Sequence, residues 1–158
     1  MFQFPPTLIL RHRRENLKKC SLTGLEGRPD MRFFTYPDAQ LPDLSNYILL
    51  TLGAPPLSCA DSHLGIVLVD GTWRYAEKMV QSLYVAEATK RPQKALERSL
   101  PPLCTTAYPR KPNPEGGLAS VEALFYAYKI LGRTTDGILD HYYFRENFLN
   151  NFPNRLFP

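Results

Sequence analysis

The chain has 158 residues, 44% of them hydrophobic and 22% charged, and a formal net charge of +4. That content suits one globular domain spanning 1–158 and excludes a disordered, charge-rich segment. The modest positive excess fits an RNA or phosphate partner without demanding one.

Three scattered cysteines, Cys20, Cys59 and Cys104, form no C-x-x-C pair. They argue against a disulfide framework and a structural zinc, so no metal is expected, and a reducing cytoplasm is the simplest location. The first apolar stretch is broken by Pro5 and Pro6 and has no basic leader, so it does not read as a signal peptide. No run is long and apolar enough to span a bilayer.

In chain order, residues 7–10 read as a short buried strand, 47–52 as a second and 65–69 as a third. All three are continuous apolar runs, the pattern of strands covered on both faces in an α/β sheet. A helix is expected over 73–87, where Trp73, Ala76, Val80, Leu83 and Tyr84 fall on one face. Residues 90–114 are proline-rich and basic, a loop with one short buried piece near 103–106. A second helix is expected over 120–131, with Val121, Leu124, Phe125 and Tyr128 as its stripe and Gly132 as its stop. A third is expected over 137–150, with Asp136 as N-cap. The layout is α/β in the first half and mostly helical at the end.

Three segments carry chemistry. The first is Val69-Asp70-Gly71-Thr72-Trp73, where a strand ends in a carboxylate, a glycine, a hydroxyl and the single tryptophan. Open α/β sheets bind ligands at such strand ends. Asp70 can accept from ribose hydroxyls, Gly71 allows close backbone approach, and Trp73 can pack on a cationic group. Alternatively, Asp70 or Thr72 caps the helix and Trp73 is core.

The second is Gly116-Gly117-Leu118-Ala119-Ser120-Val121-Glu122. Amides at a helix start attract a carboxylate, and Glu122 can hold an ammonium group. The plainer reading is helix-start chemistry alone. The third is the basic run Arg11, His12, Arg13, Arg14, Lys18 and Lys19. It reads either as a phosphate-tracking surface or as a solvated loop. Lys90, Arg91, Lys94 and Arg98, with Arg110 and Lys111, extend the cationic character, and Tyr108 beside them can stack on a base.

Together these segments resemble the DTW-domain family of tRNA-uridine aminocarboxypropyltransferases. Its Asp-x-Thr-Trp motif stands at Asp70-Gly71-Thr72-Trp73, followed by the similar Arg74-Tyr75-Ala76-Glu77-Lys78-Met79. Its N-terminal pattern is similar to Arg11-His12-Arg13-Arg14-Glu15 through Thr23-Gly24. The family's Ser-x-x-Glu-Ala helix start departs by one position, with Ala119 where serine usually stands. The related small-subunit rRNA aminocarboxypropyltransferases are similar at Lys18-Lys19-Cys20-Ser21, at Leu57-Ser58-Cys59-Ala60-Asp61 and at Leu100-Pro101-Pro102-Leu103. Their Asn-Pro-x-Asn-Tyr-Gly stretch is replaced here by residues 107–112, and the N-terminal cysteine cluster of many DTW proteins is absent.

The resemblance implies a SPOUT-like α/β fold with a C-terminal trefoil knot and a helical C-terminal part. It implies S-adenosylmethionine as cofactor and structured RNA, tRNA or rRNA, as partner. Cofactor contacts are expected at Ser21, Ser58, Val69, Asp70, Thr72, Trp73, Ala76, Leu100, Leu103, Tyr108, Ser120 and Glu122. Asp70 and Trp73 carry the catalytic expectation, with Trp73 and Ala76 walling in the methyl. RNA contacts are expected from the cationic residues named above. A SPOUT-type RNA methyltransferase and a non-catalytic RNA-binding module are the alternatives that the same segments allow.

Overall fold

The computed structural model of the chain describes residues 3–38, 40–71, 73–88, 95–109 and 117–157, with the side chains at 73, 74 and 84–88 excepted. Its centre is a five-stranded parallel sheet in the order β2-β1-β4-β3-β5. The strands are β1 (Thr7–His12), β2 (Met31–Tyr36), β3 (Tyr47–Leu50), β4 (Gly65–Asp70) and β5 (Leu96–Arg98). Helix α1 (Trp73–Ala88) follows β4, α2 (Ser120–Ile130) follows the proline-rich stretch, and α3 (Arg145–Asn151) lies near the end.

The apolar runs are buried on both faces, as expected. Alternation along each strand sorts the side chains into two cores. Ile9, Ile48, Ile66 and Leu68 face one way and pack with Val121, Leu124 and Phe125 of α2 and with Phe148 and Phe152 near the C-terminus. Leu8, Leu10, Leu49 and Val67 face the other way, against Met79 and Leu83 of α1. Met79 is fully buried there, a residue the expected stripe did not include; Val80 packs against the same core half-buried and also lines the cavity described below.

β1 pairs with β2 on one side and β4 on the other. The chain leaves β1 toward β2, whereas it leaves β4 toward β5 beyond β3. The carboxyl ends of β1 and β4 are therefore neighbours from which the connections diverge, the place where open α/β sheets form ligand crevices. The register there sets Arg11 opposite Asp70.

Several expectations need correction. β2 and β5 were not anticipated. β2 is an edge strand of mixed burial, without the apolar run that marks the inner strands, and β5 is a three-residue edge strand inside the stretch read as loop. The piece at 103–106 is not buried: Leu103 is 50% exposed. The third helix does not begin at 137. Gly137 has φ 81°, and the chain runs through successive turns, with the amides of Asp140 and Tyr142 bonded to the carbonyls of Gly137 and Leu139. Phe144, not Asp136, precedes the helix. Gly132 does end α2, with φ 71°.

Candidate active site

A cavity of about 560 Å³ opens at the carboxyl ends of β3 and β4. Its size suits a nucleoside-sized ligand. β3 and its continuation contribute Leu50, Thr51 and Leu52; β4 contributes Leu68, Val69 and Asp70, followed by Gly71. Helix α1 turns Ala76, Glu77, Val80 and Gln81 toward it, and the start of α2 brings Leu118, Ala119, Ser120 and Ala123. Glu15, Lys19, Ser21, Leu100 and Tyr108 complete the lining. The walls are mostly apolar, and their charged groups are three carboxylates and one lysine. That suits an amphipathic ligand with a positive centre.

Asp70 sits at the back of the cavity, only 3% exposed. One of its oxygens, Oδ2, accepts from Arg11 Nε at 3.2 Å and from the Cys20 thiol at 3.1 Å. The other, Oδ1, accepts from the Ser120 hydroxyl at 2.9 Å. Thus β1, β4, the loop after β1 and α2 converge on one carboxylate. Burial by itself would lower the Arg11 pKa; Cys20, once ionised at the high pH where Arg11 titrates, the charge of Asp70 and the bond to Asp70 outweigh it and raise it. Burial, then the charge of Asp70 and the bond to it, push the Cys20 thiol up to about 12, so it stays protonated at neutral pH.

Glu15, Cys20 and Asp70 hold their ligand atoms within 4.8 Å of one another, close enough to share a cation. Within this cluster, the protonated thiol and the guanidinium of Arg11 already bond to Asp70.

The start of α2 is built by a second carboxylate. Glu122 is fully buried and accepts from the Thr106 hydroxyl (2.6 Å), the Ala107 amide (2.8 Å), the Ala119 amide (2.7 Å) and the Tyr142 hydroxyl (2.9 Å). Burial and then the charge of Glu122 raise the Tyr142 pKa, which keeps that hydroxyl a donor. The amide of Val121 is capped from a distance by the Ser21 hydroxyl at 3.1 Å.

The structure brings together many of the anticipated cofactor residues. Ser21, Val69, Asp70, Ala76, Leu100, Tyr108 and Ser120 all line the cavity. Three do not. Ser58 is exposed at the start of a short 3-10 turn, where its amide donates to Asp61. Leu103 points into solvent. Glu122 faces the core, and its four donors leave it no role toward an ammonium group; its helix-start reading is the correct one. Gly71 is needed partly by the fold, since a Cβ there would lie 3.1 Å from the Met79 sulfur and 3.4 Å from His12 Cβ. Thr72 lies outside the described residues, as does the side chain of Trp73, whose backbone opens α1.

The basic run divides. Arg11 points inward to Asp70, and also pairs with Glu26 at 3.6 Å. His12, its neighbour on the opposite face, is 8% exposed and stacks on Tyr75 with ring centroids 4.1 Å apart. Neither lies on an open phosphate-binding surface. Arg13, Arg14, Lys18 and Lys19 are exposed. Arg98 pairs with Asp61 at 3.4 Å, while Lys90, Arg91, Lys94, Arg110 and Lys111 lie outside the described residues.

Sequence reasoning missed Glu15, Glu77, Leu118 and the pair Thr51-Leu52. The pair was legible in principle: both follow the end of an inner parallel strand, where side chains turn from core to crevice. It also missed Cys20 as a partner of Asp70, which the fold of the loop after β1 brings there.

No family model matches the sequence, and no curated protein matches it. Among solved structures, the chain is similar to the SAM-dependent rRNA:acp-transferase Tsr3 from Vulcanisaeta distributa, with a TM-score of 0.68 and 24% identity over 97% of this chain and 80% of that one. The two chains share a fold: a parallel α/β sheet of the kind described above. No helix among the described residues is long and apolar enough to cross a membrane.

Proposed function

We propose that this chain transfers the 3-amino-3-carboxypropyl group of S-adenosylmethionine to a uridine-type base in structured RNA, releasing methylthioadenosine. The tRNA substrate is favoured and rRNA is the alternative. The carrying observation is that Ser21, Asp70, Ala76, Leu100 and Ser120, singled out from separate sequence motifs, meet in one cavity. The fold shared with an rRNA acp-transferase supports the same reading. In it the chain is a single DTW-like, SPOUT-like domain over 1–158, with a C-terminal trefoil knot beside the cavity, acting in the cytoplasm.

The cofactor supplies an electrophilic carbon next to a sulfonium. A new N–C bond forms to the base, the C–S bond breaks, its electron pair stays on sulfur, and the base proton needs an acceptor. The protein's first task is to choose which carbon is presented. Positioning of this kind accounts for about 7–11 kcal/mol of a barrier. Ala76 and Val80, on the cavity side of α1, cover the methyl.

Asp70 has its oxygens occupied by Arg11, Cys20 and Ser120. We therefore give it a positioning role, holding the Ser120 hydroxyl toward the ligand. Glu15 lines the same cavity, within 4.8 Å of Asp70 and Cys20, and is the carboxylate assigned to the proton. The exposed Arg13, Arg14, Lys18 and Lys19 meet phosphates.

The test uses two labelled cofactors with RNA from the source cell. Label in the carboxyl carbon should enter RNA, and methyl label should leave as methylthioadenosine. Methyl label in the RNA would overturn the reading in favour of a methyltransferase. Neither label entering RNA would favour a binding module.

A further inference from the structure

Tyr143 is 89% exposed. Single exposed apolar residues are ordinary, but this one is held in place on both sides. Tyr142 is buried and bonded to Glu122 at 2.9 Å. The Tyr143 ring meets Phe144 edge-to-face, with centroids 4.9 Å apart and planes at 80°. Phe144 meets Tyr108 in the same way, at 5.5 Å and 78°. Tyr108 lines the cavity, and its hydroxyl donates to the Lys19 carbonyl at 3.3 Å. Tyr143 is thus two ring contacts from the cavity, and the exposed Lys18 and Lys19 lie on the other flank of Tyr108.

The segments that carry the ring and the cations also meet directly. The His141 ring lies where a side chain at Gly24 would be, and Gly24 has φ 104°. This contact locks the turns preceding α3 onto the loop that carries the lysines.

We propose that Tyr143 is a stacking platform for an unpaired nucleobase next to the nucleotide that enters the cavity, with Lys18 and Lys19 on the adjoining phosphates. The inference rests on the RNA-modifying reading above. An exposed aromatic ring beside cations is the combination that single-stranded RNA uses: π-faces accept any base, and cations track its backbone. With 89% of its surface exposed and only an edge-to-face contact with Phe144, the tyrosine keeps a ring face open to solvent. Packing alone does not require a ring there.

The experiment uses the full chain and an RNA hairpin whose loop carries a uridine beside 2-aminopurine. Stacking should quench 2-aminopurine with wild type and with Tyr143→Phe. Tyr143→Ala should lose the quench and weaken binding by about tenfold or more, with an unchanged salt slope. Lys18→Ala should keep the quench and lower the slope by roughly one. The proposal is overturned if Tyr143→Ala binds and quenches like wild type, or if wild type gives no quench. Group transfer measured on the same RNA separates the two claims. Stacking without transfer overturns the proposed activity and leaves the platform, whereas transfer without a Tyr143 effect overturns the platform alone.

Discussion

Two carboxylates flank the first turn of α2. Asp70 reaches it from the end of β4 and faces the cavity; Glu122 belongs to the helix and faces the core. They are almost equally buried, at 3% and 0% exposure, and each collects several hydrogen bonds. The difference lies in their donors. Those of Asp70 are all side chains: Arg11, Cys20 and Ser120. Those of Glu122 include the backbone amides of Ala107 and Ala119. A carboxylate that holds backbone decides where chain segments run. One that holds side chains decides how a site is arranged on segments already in place. Glu122 is therefore a fold residue, whereas Asp70 arranges side chains at the cavity.

The largest expected effect tests the first half of that contrast. Glu122→Leu would leave two amides and two hydroxyls without their acceptor in the core. Unsatisfied buried groups cost about 1–3 kcal/mol each, so a loss on the order of 3 kcal/mol or more is expected. A denaturant midpoint measures it. Transfer per folded molecule should change little with Glu122→Gln, which keeps the shape and two acceptor-side contacts. If Glu122→Gln removes activity while the midpoint holds, Glu122 acts in the site and the contrast is broken.

Asp70→Asn tests the other half. It keeps the shape but leaves Arg11 facing a neutral amide and misplaces Ser120. Turnover should fall by about 10²-fold or more, the usual size when a positioned acid–base arrangement is lost, with a smaller loss of stability than Glu122→Leu. Wild-type turnover in Asp70→Asn would show that Asp70 does not position the site.

Ser120→Ala sharpens the comparison at the point where the two carboxylates come nearest. It removes one hydroxyl from Asp70 and none from Glu122. The loss of one such bond is about 1 kcal/mol. Calorimetry should show weaker cofactor binding, and the melting temperature should fall by no more than about 2–4 °C. A drop in melting temperature with unchanged binding would make Ser120 another fold residue.

The sequence marks Asp70 for catalysis and Glu122 only as a cofactor contact. Each stands beside a strand end or a helix start, with helix capping as the plainer alternative. What separates them is long-range: the Arg11–Asp70 register across β1 and β4, and the return of Tyr142 from twenty residues on to meet Glu122. Inner strands β1, β3 and β4 were readable because burial on both faces demands continuous apolar runs. Edge strands β2 and β5 carry no such demand and were missed. The expected helix over 137–150 forms only from Arg145: Gly137 has a positive φ, and turns occupy the residues between.

His12 offers the smallest effect and probes the sheet from its other face. Arg11 turns toward Asp70; His12, one residue on, turns toward α1 and lies between Tyr36 and Tyr75. Its Nδ1 accepts from the Arg14 amide at 3.0 Å. Burial first, then the charges of Arg13 and Arg14, lower its pKa from 6.5. The folded state therefore binds this proton more weakly than the unfolded chain. Stability from this group is fully present above pH 6.5 and declines as the pH falls through that value toward the lower folded pKa. His12→Phe keeps the stacking ring and removes the titration. Its stability should change less between pH 7 and the acid side of 6.5 than that of wild type, measured by denaturant midpoints in matched buffers. Cofactor binding at pH 7 should be nearly unaffected, because His12 faces away from the cavity that Asp70 serves. Parallel pH curves for the two proteins would show that the acid loss comes from other groups. A large loss of cofactor binding in His12→Phe would show that the two faces of β1 are not separable in the way their donors suggest.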